Sequence, residues 1–394
     1  MGRTRRHSLL ALALAAVAAG ALWTGPAQAQ GDTVKIGVIL PMTGPSASTG
    51  RQIDAAIKLW VAQNGNKAGG KKVEVIVKDD GGIADTTRRL AQELVVNDKV
   101  VALAGFGLTP LALATAQIGT QSKTPMVIMA AATSSITEAS PYFVRTSFTL
   151  PQATLGIADW AAKNKIKKVV TLVTDYGPGN DAEKYFYERF TLNGGQVLEK
   201  LRTPLRGADF APVLQKVRDA APDAIFVFLP SGQGAAFMKQ YAERGLDKAG
   251  IRLIATGDVT DDDQLNDMGD VALGVVTSHH YSASHDSPAN KKFVTAFEAA
   301  NKFRPNFMAV AGYDGMRLIY TGLNGSKGAG GDALLAAMKG QIFESPRGPV
   351  LIDAQTREPV QDIYTRKVER VNGQLYNVEF DTQKAVKDPA KTKG

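Results

Sequence analysis

Val34-Lys-Ile-Gly-Val-Ile-Leu-Pro-Met-Thr-Gly44 is an apolar run that stops on Pro41 and Gly44. Beyond it Ile53, Ala56, Ile57, Trp60 and Val61 recur at i, i+3, i+4, i+7 and i+8, the spacing of one helical face. A strand apolar on both sides, a turn and an amphipathic helix together make the unit of a parallel sheet covered by helices. The unit repeats. Residues 73–77, 100–104 and 126–129 read as strands, followed by helical windows over 84–98 and 111–122 and by a short one opening near Thr133. The rhythm restarts with strands at 169–173, 224–229, 253–255 and 271–277, a weaker one at 196–201, and helices at 181–192, 209–220 and 233–244. Three helical windows then come in succession, at 287–303, 306–323 and 331–339. The chain closes with alternating strands at 350–353, 362–369 and 374–380, the last two joined by Asn372-Gly373, a type I′ hairpin signal. The pattern predicts an α/β protein of two doubly wound parallel-sheet lobes, whose ligand site lies beyond the carboxyl ends of the strands.

Arg3, Arg5 and Arg6 precede a Leu/Ala-rich run that closes on Ala27-Gln-Ala29, the form of an export signal cleaved after Ala29. Arg5-Arg6 also loosely matches a twin-arginine signal, with Ser8 where a large apolar residue is usual. The expected location is the periplasm. Removal of these arginines lowers the formal charge from +8 to +5. No basic stripe is interleaved with aromatics, which argues against nucleic acid as a partner. The chain has no cysteine, so lipid attachment through an N-terminal Cys and disulfide chemistry are excluded. The lysines at 384, 387, 391 and 393 read as a solvated, disordered tail over 383–394.

The run Gly37-Val-Ile-Leu-Pro-Met-Thr-Gly44, the pair Thr49-Gly50, the strand end Lys78-Asp-Asp80, Leu90-Ala-Gln-Glu-Leu94 and Met129-Ala-Ala-Ala-Thr133 together resemble the branched-chain amino-acid type of periplasmic substrate-binding protein, which serves ATP-driven importers. The likeness spans about Val34 to Phe380 in the expected order. It implies two lobes joined by three hinge crossovers, near 146–149, 278–282 and 345–348. On that division 1–29 is the signal peptide, 30–147 and 282–345 form the first lobe, and 148–281 and 346–382 form the second. It also implies a monomer that binds a small carboxylate, needs no cofactor or metal, catalyses nothing, and delivers its ligand to an ABC permease and its ATPase subunits.

The stretch Ala130-Ala-Ala-Thr-Ser-Ser135 ends a buried strand in small and hydroxyl residues. Such a strand-to-helix turn leaves backbone N–H groups free for an anion, although Thr133 or Ser134 also suits a plain helix cap. The resemblance implies that Ala131, Ala132 and Thr133 hold the ligand carboxylate, that Thr109 adds a hydroxyl, that Tyr176 closes over the ligand, and that Asp258 takes an α-ammonium. Gly107 is expected to permit close approach, and Phe106 either lines the pocket or packs beneath the turn. Pro230-Ser-Gly-Gln-Gly234 carries small residues where amino-acid binders often carry tyrosines. The runs Phe106-Gly-Leu-Thr-Pro110, Arg145-Thr-Ser-Phe148 and Gly257-Asp-Val-Thr-Asp-Asp-Asp263 look similar to family members that bind aromatic acids such as hydroxybenzoates. The ring would then sit between Phe106 and Tyr176 with a distal hydroxyl near Asp258 or His280. A binder of branched-chain or other aliphatic amino acids, or a ligand-sensing module of the same fold, is the alternative.

Enzymatic readings fare worse. Gly177-Pro-Gly179 and Gly232-Gln-Gly234 complete neither a dinucleotide nor a P-loop pattern, and no G-x-S-x-G elbow is present. Adjacent His279 and His280 on a strand should face opposite ways, which disfavours a shared metal. Thr260-Asp-Asp-Asp263 is expected to cap the helix leading to Leu265 and Met268. Arg51 reads as a solvated arginine or one facing the cleft anion.

Overall fold

The computed structural model describes residues 33–392; the export signal expected over 1–29 lies outside them. The first lobe runs β1 (Thr33–Leu40), α1 (Ala47–Asn64), β2 (Lys67–Ala68), β3 (Lys71–Asp79), α2 (Ala84–Val96), β4 (Ala102–Gly105), α3 (Thr109–Ser122), β5 (Met126–Ile128), α4 (Ile136–Ala139) and β6 (Phe143–Arg145). Its six strands lie in the order β2-β3-β1-β4-β5-β6, parallel except for β2. The opening stretch is the centre of this sheet, and Ile36, Val38, Ile39 and Leu40 are all fully buried because helices cover both faces.

The second lobe runs α5 (Leu150–Lys163), β7 (Lys168–Thr174), α6 (Gly177–Leu192), β8 (Gln196–Thr203), α7 (Ala211–Ala220), β9 (Ala224–Phe228), α8 (Gly234–Glu243), β10 (Arg252–Thr256), α9 (Leu265–Met268) and β11 (Val276–His279). The three late helices α10 (Pro288–Asn301), α11 (Phe307–Gly325) and α12 (Gly331–Met338) follow. α11 returns to the first lobe and lies so close to α1 that a Cβ on Gly312 would sit 3.1 Å from the Ile53 backbone. Trp60 of α1 meets Tyr313 and Tyr320 of α11 edge-on at 4.9 and 5.9 Å. Each large apolar side chain buried there contributes about 1.5–3 kcal/mol.

β12 (Ile342–Ser345), β13 (Gly348–Ile352), β14 (Pro359–Val371) and β15 (Gln374–Val386) complete the second sheet, whose order is β12-β13-β14-β11-β10-β9-β7-β8 with β15 on β14. Asn372 and Gly373 both have positive φ, 49° and 82°, as a type I′ turn requires.

Several expectations need correction. β12 pairs with β13, which places 342–345 in the second sheet rather than the first lobe. The strand expected over 271–277 begins only at Val276, after a 3₁₀ turn. The helix α5 follows the first crossover, and the Gln152 side chain accepts the Thr149 amide at 3.0 Å, an N-terminal cap that the sequence reading passed over. The segment expected to be a disordered tail from 383 is ordered as far as 392: β15 continues to Val386, Lys384 pairs with Asp362 at 2.7 Å, and 389–391 form a 3₁₀ turn. Asp362 and Asp388 give its backbone N–H groups buried acceptors, which composition alone could not reveal.

Buried arginines tie the crossovers. Arg347 donates to the Thr146 and Ser147 carbonyls at 2.6 and 3.1 Å and pairs with Asp314 at 3.1 Å. Arg366 donates to the Tyr281 carbonyl and to Thr277 Oγ1. Each guanidinium satisfies carbonyls that the chain leaves unpaired as it passes between sheets.

Candidate functional site

The carboxyl ends of the two sheets face one another across a narrow cavity of about 20 Å³. The first lobe contributes Thr49, Gly107, Leu108, Thr109, Ala130, Ala131, Ala132 and Met308. The second contributes Tyr176, Pro178, Phe228, Pro230, Ser231 and Asp258, while Phe148 and Leu150 come from the first crossover. The lobes meet around it: Ser48 donates to Asp263 at 2.6 Å, and Thr133 Oγ1 lies 2.4 Å from where a Cβ on Gly177 would be.

The turn after β5 is held from behind. Arg145, fully buried, pairs with Glu358 at 2.6 Å and donates to the Ala131 and Thr133 carbonyls, the latter at 2.7 Å. The Ala131 amide is used by the Phe106 carbonyl at 3.1 Å, and the Ser134 amide by Asp181 at 2.9 Å. No protein acceptor engages the amides of Ala132 and Thr133 among the described residues. Beside them the Thr109 and Thr133 hydroxyls, both buried, lie 2.7 Å apart. One proton joins the two oxygens and the other remains for an outside acceptor.

This geometry corrects the expected origin of the donors. The helix that opens after Thr133 has only four residues, Ile136–Ala139, too short to present a positive end. The donors belong to an irregular turn, and the long helices whose N-termini reach the cavity are α3, through Leu108 and Thr109, and α6, through Tyr176 and Pro178, with the first turns of α1, α5 and α11 contributing Thr49, Leu150 and Met308.

Of the expected residues, Gly107, Thr109, Ala131, Ala132, Tyr176 and Asp258 come together in the cavity wall, with the Thr133 hydroxyl adjoining through Thr109. The Ala131 amide, however, is taken within the protein. Phe106 is not in the wall. It follows Gly105 (φ 107°) and itself has φ 64°, and these two left-handed residues swing its ring into the core beneath Ile39 and Ile128. The close approach at Gly107 is that of Pro41, whose Cγ would lie 2.6 Å from an added Cβ.

His280 is fully buried and outside the wall, stacked at 4.7 Å on Phe148, which does face the cavity. The two histidine rings do not diverge, since β11 ends at His279 and their centroids are 4.5 Å apart. Among the described residues no group of three or more His, Asp or Glu side chains is placed to hold a metal ion. His279 Nε2 lies 3.5 Å from Asp258. Burial lowers the His279 pKa to about 4 despite the opposing pull of Asp258, and burial with the neighbouring His279 pushes His280 well down, so both are neutral at pH 7. Burial and the Asp258 charge push the Tyr176 phenol up, keeping it protonated.

The 260–263 loop does not cap the following helix. Asp263 accepts from Ser48 and Asn306, and Asp262 from Asn377, so the acids tie the second lobe to α1 and β15. Arg51 is outside the cavity wall and exposed, as the solvated reading expects, while lying 3.5 Å from Asp263 and over the Phe303 ring. Sequence reasoning did not assign Phe148, Phe228, Ser231 or Met308 to the site. Phe148 and Ser231 fell within quoted motifs, whereas nothing in the sequence signalled Phe228 or Met308.

Two α/β lobes joined by three crossovers, with a cavity walled by both, define a hinged ligand-binding protein. The chain belongs to the periplasmic binding protein family, whose model matches residues 33–374, and has its type I fold. It is 44% identical over 391 residues to Leu/Ile/Val-binding protein homolog 6 of Brucella abortus, covering 98% of each chain. Among solved structures it is similar to a solute binding protein of an ABC transporter from Rhodopseudomonas palustris BisB5 in complex with 3,4-dihydroxy benzoic acid. That match has 61% identity and a TM-score of 0.91, over 92% of this chain and all of that one. A second R. palustris solute binding protein, in complex with 4-hydroxybenzoate, matches at 42% identity and a TM-score of 0.89 with the same coverage.

Proposed function

We propose that the protein is the periplasmic solute-binding component of an ABC-type importer and that it captures a small aromatic carboxylate, preferably a hydroxybenzoate, for delivery to a permease. It acts by binding and not by catalysis. The observation that carries this reading is the order of chemistry across the cavity. The free Ala132 and Thr133 amides and the Thr109/Thr133 hydroxyl pair suit a carboxylate. Phe148, Tyr176 and Phe228 offer apolar faces to a ring. Asp258, 4% exposed and with Oδ2 lacking a hydrogen-bond donor, suits the proton of a phenol on the far side. The resemblance to proteins bound to hydroxybenzoates supports the same ligand class. No helix among the described residues is long and apolar enough to cross a membrane.

An aliphatic amino acid is the second reading, because the same Asp258 could accept an α-ammonium and the Brucella relative is named for Leu, Ile and Val. Calorimetric titration with 4-hydroxybenzoate, 3,4-dihydroxybenzoate, leucine and valine separates the two. Saturable binding of the benzoates supports the proposal. Binding of leucine or valine with none of the benzoates refutes the ligand class and leaves the transport role standing.

A further inference from the structure

Beyond Val386 the chain, still tethered to β15 of the second lobe, reaches across to the first. Gln152 of α5 donates to the Val386 carbonyl at 2.9 Å, which places the departure beside the first crossover. Asp388, 2% exposed, then accepts the Ser134 hydroxyl proton at 2.5 Å, while its other oxygen takes the Ala390 amide at 2.9 Å. Three residues later Lys391 pairs with Glu138 of α4.

Ser134 directly follows the two free amides of the turn. Its own amide donates to Asp181 of α6, so one serine of the first lobe is gripped at N–H and O–H by two acids carried on second-lobe elements. A tail that merely covers surface needs no buried carboxylate. Burial and the charge of Asp388 raise the pKa of Asp181, while the Ser134 amide and the charges of Arg145 and Lys184 oppose the shift.

We propose that residues 387–392 form a latch, in which Asp388 is a positioning residue that, together with Asp181, ties the 132–134 turn to the second lobe and thereby sets how long a carboxylate stays bound. The latch rests on the reading of the Ala132 and Thr133 amides as the acid-holding donors. Because Ser134 belongs to one lobe and both acids to the other, these bonds form as the lobes approach and strengthen the closed form at the expense of the open one.

The test is stopped-flow and calorimetric binding of 4-hydroxybenzoate, and in parallel of leucine, to the full-length mature protein, to Asp388→Ala, Asp388→Asn and Ser134→Ala, to the Ser134→Ala/Asp388→Ala double variant, and to a chain ending at Val386. Asp388→Ala should raise koff and Kd about tenfold with kon nearly unchanged, as expected for loss of a charge-assisted hydrogen bond made only in the closed form. Asp388→Asn should recover only part of that loss, since its single amide oxygen can accept the Ser134 proton but the uncharged NH2 then faces the Ala390 amide. The double variant should be no worse than Ser134→Ala alone. A koff within twofold of wild type in folded Asp388→Ala overturns the latch, and so does a lowered melting temperature with unchanged koff. Should the shortened chain fail to fold, the two Asp388 variants decide. If leucine binds and 4-hydroxybenzoate does not, the ligand class falls separately, and the latch is judged on the leucine koff.

Discussion

Replacing Thr133 by Val tests the acid-holding turn with the least disturbance, since valine matches threonine in shape and leaves the Ala132 and Thr133 amides in place. In the structure the Thr133 hydroxyl has one protein partner, Thr109 Oγ1 at 2.7 Å, and the pair is left with one proton for a ligand. The substitution removes that arrangement and strands the Thr109 hydroxyl at a site only 4% exposed. A hydrogen bond to a charged acceptor is worth about 1.5–3 kcal/mol, so a loss near 2 kcal/mol, roughly thirtyfold in Kd, is expected. Thr109→Val should cost a similar amount, and the double variant clearly less than the sum, because the two hydroxyls share one bond. Isothermal titration with 4-hydroxybenzoate measures all three, with the melting temperature of the free protein as a control. A change in Kd below threefold for Thr133→Val, in a protein that melts normally, would refute the role of this hydroxyl pair. Additive losses would refute their coupling.

Gly177→Ala should weaken binding by about 1–3 kcal/mol with little effect on the melting of ligand-free protein, because the new methyl meets Thr133 Oγ1 at 2.4 Å only where the lobes touch; titration and melting together decide it. Arg145→Met should destabilise the fold by about 3–5 kcal/mol in urea denaturation, since it leaves Glu358 buried without its cation and frees the carbonyls of 131 and 133. Stability should also fall on acidification. The unfolded chain takes up a proton on His279 near pH 6.5, whereas the folded protein resists until about pH 4. The contribution of the neutral ring is therefore complete above pH 6.5 and drains away towards pH 4, by at most about 3 kcal/mol. Denaturation at pH 7.5, 5.5 and 4.5 should show this slope, and His279→Asn should flatten it.

The frame was legible because its signals are local and periodic. Buried strands such as Val34–Leu40 and helical faces such as Ile53/Ile57/Trp60 announce themselves by spacing, and Asn372-Gly373 by turn chemistry. The cavity wall was legible at Gly107, Thr109, Ala131 and Ala132, where the chain turns out of strands β4 and β5. It was not legible where one dihedral reverses a side chain. Phe106 turns inward because two successive residues adopt positive φ, and His280 loses strand alternation because β11 stops one residue earlier. Nor could spacing show that Asp388, more than 250 residues from Ser134, would meet it, or that Phe228 and Met308 would complete the wall. Those are products of tertiary packing.

On the proposed reading the acid end of the cavity rests on main-chain amides, the Thr109/Thr133 hydroxyl pair and a guanidinium that acts on carbonyls, so side-chain replacements there at positions other than these leave its chemistry intact. The opposite wall is made of individual side chains, among them Ser231, Asp258 and Phe228, each open to exchange on its own. Divergent copies of such a chain can thus drift from one acid to another by a few second-lobe mutations while inheriting the grip on the carboxylate unaltered.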